Sequence, residues 1–213
     1  MGPLSTMRQL LDTCTHLEHL SLLLPHPVRH NFSISEVGYE PLVTPRDLVR
    51  ALLATHRNTL KTLRLDFHHY YELGDPELRE ELVETGESVE DCYFTYPPMR
   101  DFECLSHLTI EFEKLVRVRD LPETLISLEL QFCRFAELDM GCLRKLRTLK
   151  GNWCPLIESV VVSGWEKGNE GISQLQDSTQ DSGLPVFVSA DGRTLTLMGA
   201  DCQVQVISYK LPA

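Results

Sequence analysis

Clustered basic residues are missing from this chain. No run of five Lys or Arg occurs, and 20 Lys plus Arg face 31 Asp plus Glu for a formal charge of −11. Phosphate backbones are held by clustered Lys and Arg, so nucleic acid is not an expected partner. No apolar run reaches eighteen residues, so no membrane-spanning helix is expected. The N-terminus lacks the basic region, apolar run and cleavage site of a signal peptide. The seven cysteines (14, 92, 104, 133, 142, 154 and 202) are odd in number and form no C-x-x-C pair. Neither a disulfide framework nor a zinc ribbon follows from that pattern. The expectation is reduced thiols in an intracellular protein, cytoplasmic or nuclear. Also absent are G-x-G-x-x-G, a Walker loop, G-x-S-x-G and H-E-x-x-H. With no phosphate cradle, nucleophile–base set or zinc helix to assemble, neither an enzyme nor a cofactor is expected.

What the chain does have is leucine at fixed spacing. The pattern L-x-x-L-x-L-x-x-(C/polar)-x-L reads in register over Leu105–Leu156. Leu105, Leu108, Ile110, Glu113 and Leu115 make one copy. Leu125, Leu128, Leu130, Cys133 and Phe135 make the next, and Leu146, Leu149, Gly151, Cys154 and Leu156 the third. A repeat of about this length predicts a leucine-rich-repeat solenoid. Upstream, Leu17, Leu20 and Leu22 carry the same phrase, as do Leu60, Leu63 and Leu65. Because the chain opens on a repeat and terminal repeats need polar caps, more protein is expected before it.

Between these phrases the reading is coarser. Met7, Leu10, Leu11, Cys14 and Leu17 predict a helix over 5–17, with Ser5 as its N-cap. Residues 25–45, with prolines at 25, 27, 41 and 45, read as irregular. Thr44, Pro45 and Asp47 announce a second helix by their order: cap, first-turn proline, first-turn acid. From 74 to 101 nine carboxylates face only Arg79 and Arg100. Asp75 and Pro76 could start a helix through Val83, and the rest reads as an acidic surface insertion. Ile157, Val160 and Val162 suggest a strand, but one out of register with Leu146. Residues 164–183 are rich in Gly, Ser, Gln and Asp and read as a flexible linker. From 184 to 213, strands at Val186–Ala190 and Arg193–Met198 flank a turn at Asp191-Gly192, and Gln203–Tyr209 adds a third. The fold class expected is therefore α/β. An irregular leucine-rich-repeat solenoid over 1–163 carries a short parallel sheet, and a small C-terminal antiparallel meander follows.

Within such a repeat the leucines at positions four and six point inward, and position one closes the layer. Positions three, five, seven and eight border the open side. Position eight reads Leu24, Phe67, Phe112, Phe132 and Trp153, an apolar column that would mark a protein interface if exposed. Position five reads Ser21, Arg64, Thr109, Glu129 and Lys150, mixed in sign and suited to specific polar contacts. The candidate protein-binding residues are thus Arg64, Phe67, Thr109, Phe112, Glu129, Phe132, Lys150 and Trp153. At position nine Cys133 and Cys154 read as structural thiols in a stacked ladder. Asp66, His68, His69 and Glu72 fall at a strand end and loop where alternation does not converge them, so no metal site is expected.

Three phrases carry a family likeness: Leu10-Leu11-Asp12-Thr13-Cys14-Thr15-His16-Leu17-Glu18-His19-Leu20, His56-Arg57-Asn58-Thr59-Leu60-Lys61-Thr62-Leu63-Arg64-Leu65, and Leu121-Pro122-Glu123-Thr124-Leu125-Ile126-Ser127-Leu128-Glu129-Leu130. With them the chain resembles the leucine-rich-repeat portion of fungal F-box/leucine-rich-repeat-like proteins over roughly residues 5–156. The resemblance implies a protein-binding region related to the substrate receptors of cullin-type ubiquitin ligases. No F-box is visible, so a ligase adaptor is implied as partner only where an F-box lies upstream. A degenerate or truncated receptor region without a ligase role is the alternative.

Overall fold

The fold is described, in a computed structural model, for residues 3–24, 43–67, 95–115, 117–134, 138, 140–166, 186–188, 194–198 and 203–210. In chain order these form α1 (Pro3–Thr13), β1 (His19–Leu23), α2 (Pro45–His56), β2 (Thr62–Asp66) and β3 (His107–Glu111). Single 3-10 turns at Phe112–Lys114 and Val118–Asp120 lead to β4 (Ser127–Arg134). Then come α3 (Met140–Arg147), α4 (Leu149–Asn152), β5 (Ser159–Glu166), β6 (Val186–Val188), β7 (Thr194–Met198) and β8 (Gln203–Lys210). The eight strands lie in one sheet in the order β1-β2-β3-β4-β5-β8-β7-β6. Pairing is parallel from β1 through β5 and on to β8, then antiparallel through β7 and β6. The class is α/β with a mostly parallel sheet, and the expected antiparallel strands stand at its C-terminal side.

One polar device recurs where each parallel strand starts. The carbonyl of the second residue in a leucine phrase accepts two consecutive N–H groups from the next phrase. Glu18 accepts from Lys61 and Thr62 at 2.8 and 3.0 Å, Lys61 from Ser106 and His107 at 2.9 and 3.0 Å, and Ser106 from Ile126 and Ser127 at 2.8 and 3.0 Å. Ile126 then accepts from Glu158 and Ser159 at 2.8 and 3.3 Å, and Glu158 from Gln203 at 3.4 Å. Each bond satisfies backbone groups that would otherwise be buried unpaired as the chain turns into the sheet. Threonine hydroxyls reinforce two of these junctions: Thr59 donates to the Leu17 carbonyl at 3.0 Å, and Thr124 to that of Leu105 at 2.7 Å.

Strand alternation then sorts the side chains. Leu63, Leu65, Leu108, Ile110, Leu128, Leu130, Val160, Val162, Val204 and Val206 point into one core and are fully buried. Burying each such side chain stabilises by about 1.5–3 kcal/mol. Over them pack Leu11 of α1, Leu48, Val49 and Leu52 of α2, Met99 and Phe102, and Leu143, Leu146 and Leu149 of α3 and α4. Helix α2 begins as expected: the Asp47 N–H donates to Thr44 Oγ1 at 3.0 Å, and Pro45 takes the first turn. Near its end the ring of buried His56 bonds the Leu11 carbonyl at 3.0 Å, tying α2 to α1. Helix α1 starts earlier than expected, at Pro3, which places Ser5 inside it rather than at its cap. Proline lacks only an N–H that the first turn leaves unused anyway.

The third copy of the leucine phrase is a correction. Leu146 and Leu149 lie on helices α3 and α4, and the strand that continues the sheet is β5, with Ile157, Val160 and Val162 in the phrase. Three-residue spacing serves a helix face as well as the approach to a strand, and Leu143, Leu146 and Leu149 use it as a helix face. Gly151, at the place where an inward leucine belongs, offers nothing to bury, whereas the β-branched run Val160–Val162 favours a strand. Cys154 accordingly precedes β5, where its N–H donates to the Leu149 carbonyl at 2.9 Å, and it is Gly164 that pairs with Cys133 in the sheet.

The β4–β5 register slips between Leu130 and Cys133, so that Cys133 pairs with Gly164. Phe132 takes up the slip with φ 57°, in the left-handed region, at a cost of roughly 1–2 kcal/mol for a residue with a Cβ. The Cys133 backbone is thereby pressed against Gly164. A Cβ added there would lie 1.9 Å from the Cys133 carbonyl oxygen.

Strand β5 runs on to Glu166, so the segment read as a linker starts later than 164. β8 pairs with β5 from Ser159↔Gln203 to Glu166↔Lys210, so the C-terminal strands extend the sheet of the leucine strands. The acidic stretch up to 94, the candidate helix Asp75–Val83, His68, His69, Glu72, residues 167–185 and the Asp191-Gly192 turn lie outside the described residues. No helix of the described residues is long and apolar enough to cross a membrane.

Candidate protein-binding face

The side of the sheet opposite the core carries polar side chains in lateral rows, because pairing is in register from strand to strand. The first row holds His19, Thr62, His107, Ser127, Ser159 and Gln203. The second holds Ser21, Arg64, Thr109, Glu129, Val161 and Gln205. Every one of these twelve side chains is at least partly exposed. Neighbouring rows stand about 7 Å apart and neighbouring strands about 4.8 Å.

Hydrogen bonds knit part of this face. His19 Nδ1 and Thr62 Oγ1 are 3.0 Å apart, and Ser159 Oγ donates to Ser127 Oγ at 3.3 Å. Glu129 accepts from Thr109 Oγ1 at 3.3 Å and from Gln131 Nε2 at 2.8 Å, which fixes its carboxylate in the middle of the sheet. No side-chain hydrogen bond or ion pair joins Arg64, His107 or Ser21 to another described residue.

A third row closes the face at its far end with buried carboxylates. Glu111 is 1% exposed and takes three donors: the Phe67 N–H, the Tyr96 hydroxyl, and Lys114 Nζ at 3.1 Å. Lys114 is itself buried. Asp66 lies in the same neighbourhood. Burial, then the charge and hydrogen bond of Glu111 and the charge of Asp66, push the Tyr96 hydroxyl well above its ordinary pKa. This cluster anchors the segment Thr95–Phe102 to the ends of β2 and β3. Sequence patterning missed it, because an acid at position seven and a lysine three residues later read as ordinary surface charges.

At the opposite end, where the strands start, Glu18 bonds Lys61 Nζ at 2.9 Å and stands 3.9 Å from His19 Nε2. The hydrogen bond and charge of Lys61 pull the Glu18 carboxyl below its ordinary pKa.

The sequence-predicted residues divide sharply. Arg64, Thr109 and Glu129 stand side by side on the open face in one lateral row. Lys150 does not join them; it lies on α4, and Val161 occupies the place read for it. The apolar column does not exist as an exposed stripe. Phe67 is buried, with its ring edge-on to Tyr96 at 6.4 Å between centroids. Phe112 opens a 3-10 turn and packs, half-buried, against the core. Phe132 is half-buried at the bulge. Trp153 is 40% exposed, but it follows α4 on the connecting side, where the Arg100 guanidinium lies 5.7 Å from its ring centroid. The residues that patterning passed over, Thr62, His107, Ser127, Gln131 and Ser159, sit at positions three and seven of the same phrase and were findable by alternation alone.

The arrangement can bind by hydrogen bonding and by charge. Among the described residues no group of three or more His, Cys, Asp or Glu is placed to hold a metal ion. Comparison of the chain with protein-family models, with curated proteins and with solved structures found no match.

Proposed function

We propose that the chain is a non-enzymatic protein-interaction module of leucine-rich-repeat type whose binding surface is the polar open face of its sheet. The observation that carries this reading is the one-sided sorting of the strands. Leucine and valine fill the face under the helices, while the opposite face presents two in-register rows of partly exposed polar side chains with Val161 as their one apolar member. A broad, rigid surface with satisfied and unsatisfied donors side by side suits recognition of another protein better than enclosure of a small molecule. A relation to the substrate-recognition regions of F-box receptors rests on the leucine phrases at Leu10–Leu20, His56–Leu65 and Leu121–Leu130. It would bring in a ligase adaptor only through an F-box upstream.

The test is capture on the immobilised chain with identification by mass spectrometry, repeated with Ser127→Arg and Ser159→Arg together. Both positions are partly exposed, so the variant keeps a cooperative melt, lowered by the lost hydroxyl bond and the paired like charges, while losing the specifically captured protein. Capture that survives them would overturn the assignment of this face. Absence of any specific capture would favour the degenerate receptor.

A further inference from the structure

On the two open-face rows, permanent charge stands at two places, Arg64 on β2 and Glu129 on β4. Both belong to the second row and are separated by β3, with Thr109 between them. Two strand spacings put their backbones about 10 Å apart, and no ion pair joins their side chains. Neither charge is cancelled by a side chain of opposite sign among the described residues: Arg64 has no side-chain partner, and Glu129 takes only the neutral donors Thr109 and Gln131. Of the other nearby carboxylates, Glu111 holds Lys114 and two further donors, Glu18 holds Lys61 at 2.9 Å, and Asp66, two residues beyond Arg64 on β2, is 9% exposed in the neighbourhood of Tyr96. Beyond Glu129 the second row continues with Val161 and Gln205 and holds no charge.

We infer that Arg64 and Glu129 are a charge couple that receives a protein segment lying across the strands, with an acidic side chain over Arg64 and a basic one about 10 Å along it over Glu129. The inference rests on the open face being the binding surface and adds what that surface selects. An anion alone fits less well, because Glu129 stands in the same row and repels it. A cation alone meets the same objection from Arg64. A segment carrying both satisfies both, and it is fixed in orientation by them, which is how complementary charges set specificity. In a polyproline helix residues three apart recur on one side about 9 Å along the axis, which matches two strand spacings. An extended Glu-x-x-Lys segment of that kind is the simplest occupant.

The probe is a fluorescent peptide of repeated Glu-Pro-Pro-Lys-Pro-Pro units, with charge-free Gln and all-Glu versions for comparison, read by anisotropy on the full chain. The alternating peptide binds, and the other two bind at least about tenfold more weakly, the all-Glu version losing one charged hydrogen bond and the Gln version two. Arg64→Glu and Glu129→Lys, singly, each weaken binding by about tenfold or more, and the double reversal restores it to within about threefold. Glu129→Gln serves where the lysine variant melts early. Binding of the all-Glu or of a phosphoserine peptide as tightly as the alternating one would overturn the couple in favour of a simple anion site. So would single variants without effect, or no binding by any peptide. If Ser127→Arg and Ser159→Arg abolish capture of the natural partner while Arg64→Glu and Glu129→Lys do not, the charge couple fails and the face stands. If none of them matters, the face itself fails.

Discussion

Replacing Lys114 with Met tests whether the buried pair at the end of β3 holds the molecule together there. Lys114 Nζ lies 3.1 Å from Glu111 Oε1, and both side chains are almost wholly out of water. At that distance and an effective dielectric of about 20, the attraction is roughly 5 kcal/mol. Several kcal/mol of desolvation per ion offset it, so the pair is worth little against an apolar pair of the same shape. Removing one partner is another matter, because it leaves the other charge buried and unmatched. Lys114→Met is therefore expected to cost about 3–5 kcal/mol. Urea unfolding followed by circular dichroism reads this as a lower midpoint at unchanged slope. Glu111→Gln placed on top recovers at least about 2 kcal/mol, since the amide oxygen still accepts from the Phe67 N–H while the amide nitrogen donates to the Tyr96 hydroxyl, whose own proton turns away. A loss below about 1 kcal/mol for Lys114→Met, or no recovery in the double variant, would refute the reasoning.

Two further predictions come from the same region of contacts and from the bulge. The Tyr96 hydroxyl is held protonated in the fold above its ordinary value of 10.0, so above about pH 10 the unfolded chain releases a proton that the folded chain keeps, and stability falls as pH rises. Tyr96→Phe is less stable at neutral pH, having lost a hydrogen bond to a carboxylate, but its stability declines less steeply above pH 10; parallel curves in alkaline urea titrations would contradict this. Gly164→Ala drives a Cβ against the Cys133 carbonyl and forces β4 and β5 apart, costing about 2 kcal/mol or more and lowering the melting temperature by roughly 4–8 °C. An unchanged melting curve would mean that the strands slide without cost.

The leucine phrases made four of the parallel strands legible, because Leu17, Leu60, Leu105 and Leu125 each lead into a strand whose inward positions are apolar and whose outward positions, exposed Leu23 apart, are polar. The next strand was hidden by competition between two readings of the same spacing. Leu146-x-x-Leu149 satisfies a helix and a strand approach equally, and only packing decides. The same step moved the outward positions, so Lys150 and Trp153 went to the connecting side while Val161 and Gly164 took their places on the sheet. Arg64, Thr109 and Glu129 survived, since their strands were placed correctly. Phe67 could not be placed from pattern, because its burial depends on Tyr96, distant in sequence and brought over it by the bond to Glu111. Long-range polar clusters of this kind leave no periodic trace.

The doubled hydrogen bonds at the strand starts also rank the order in which the sheet can assemble. Their acceptors and donors join positions 18 and 61, 61 and 106, 106 and 126, and 126 and 158. The shortest of these loops is the one that brings β3 to β4. Closing a loop costs more as it lengthens, so the two longest, about twice that length, carry roughly 0.6 kcal/mol or more of additional entropy loss. The inward Leu108, Ile110, Leu128 and Leu130 of this pair are fully buried, as are those of β2 and β5, so here a full reward arrives with the cheapest closure. Folding that starts there places Thr109 beside Glu129 first, and the open face grows outward from its own centre.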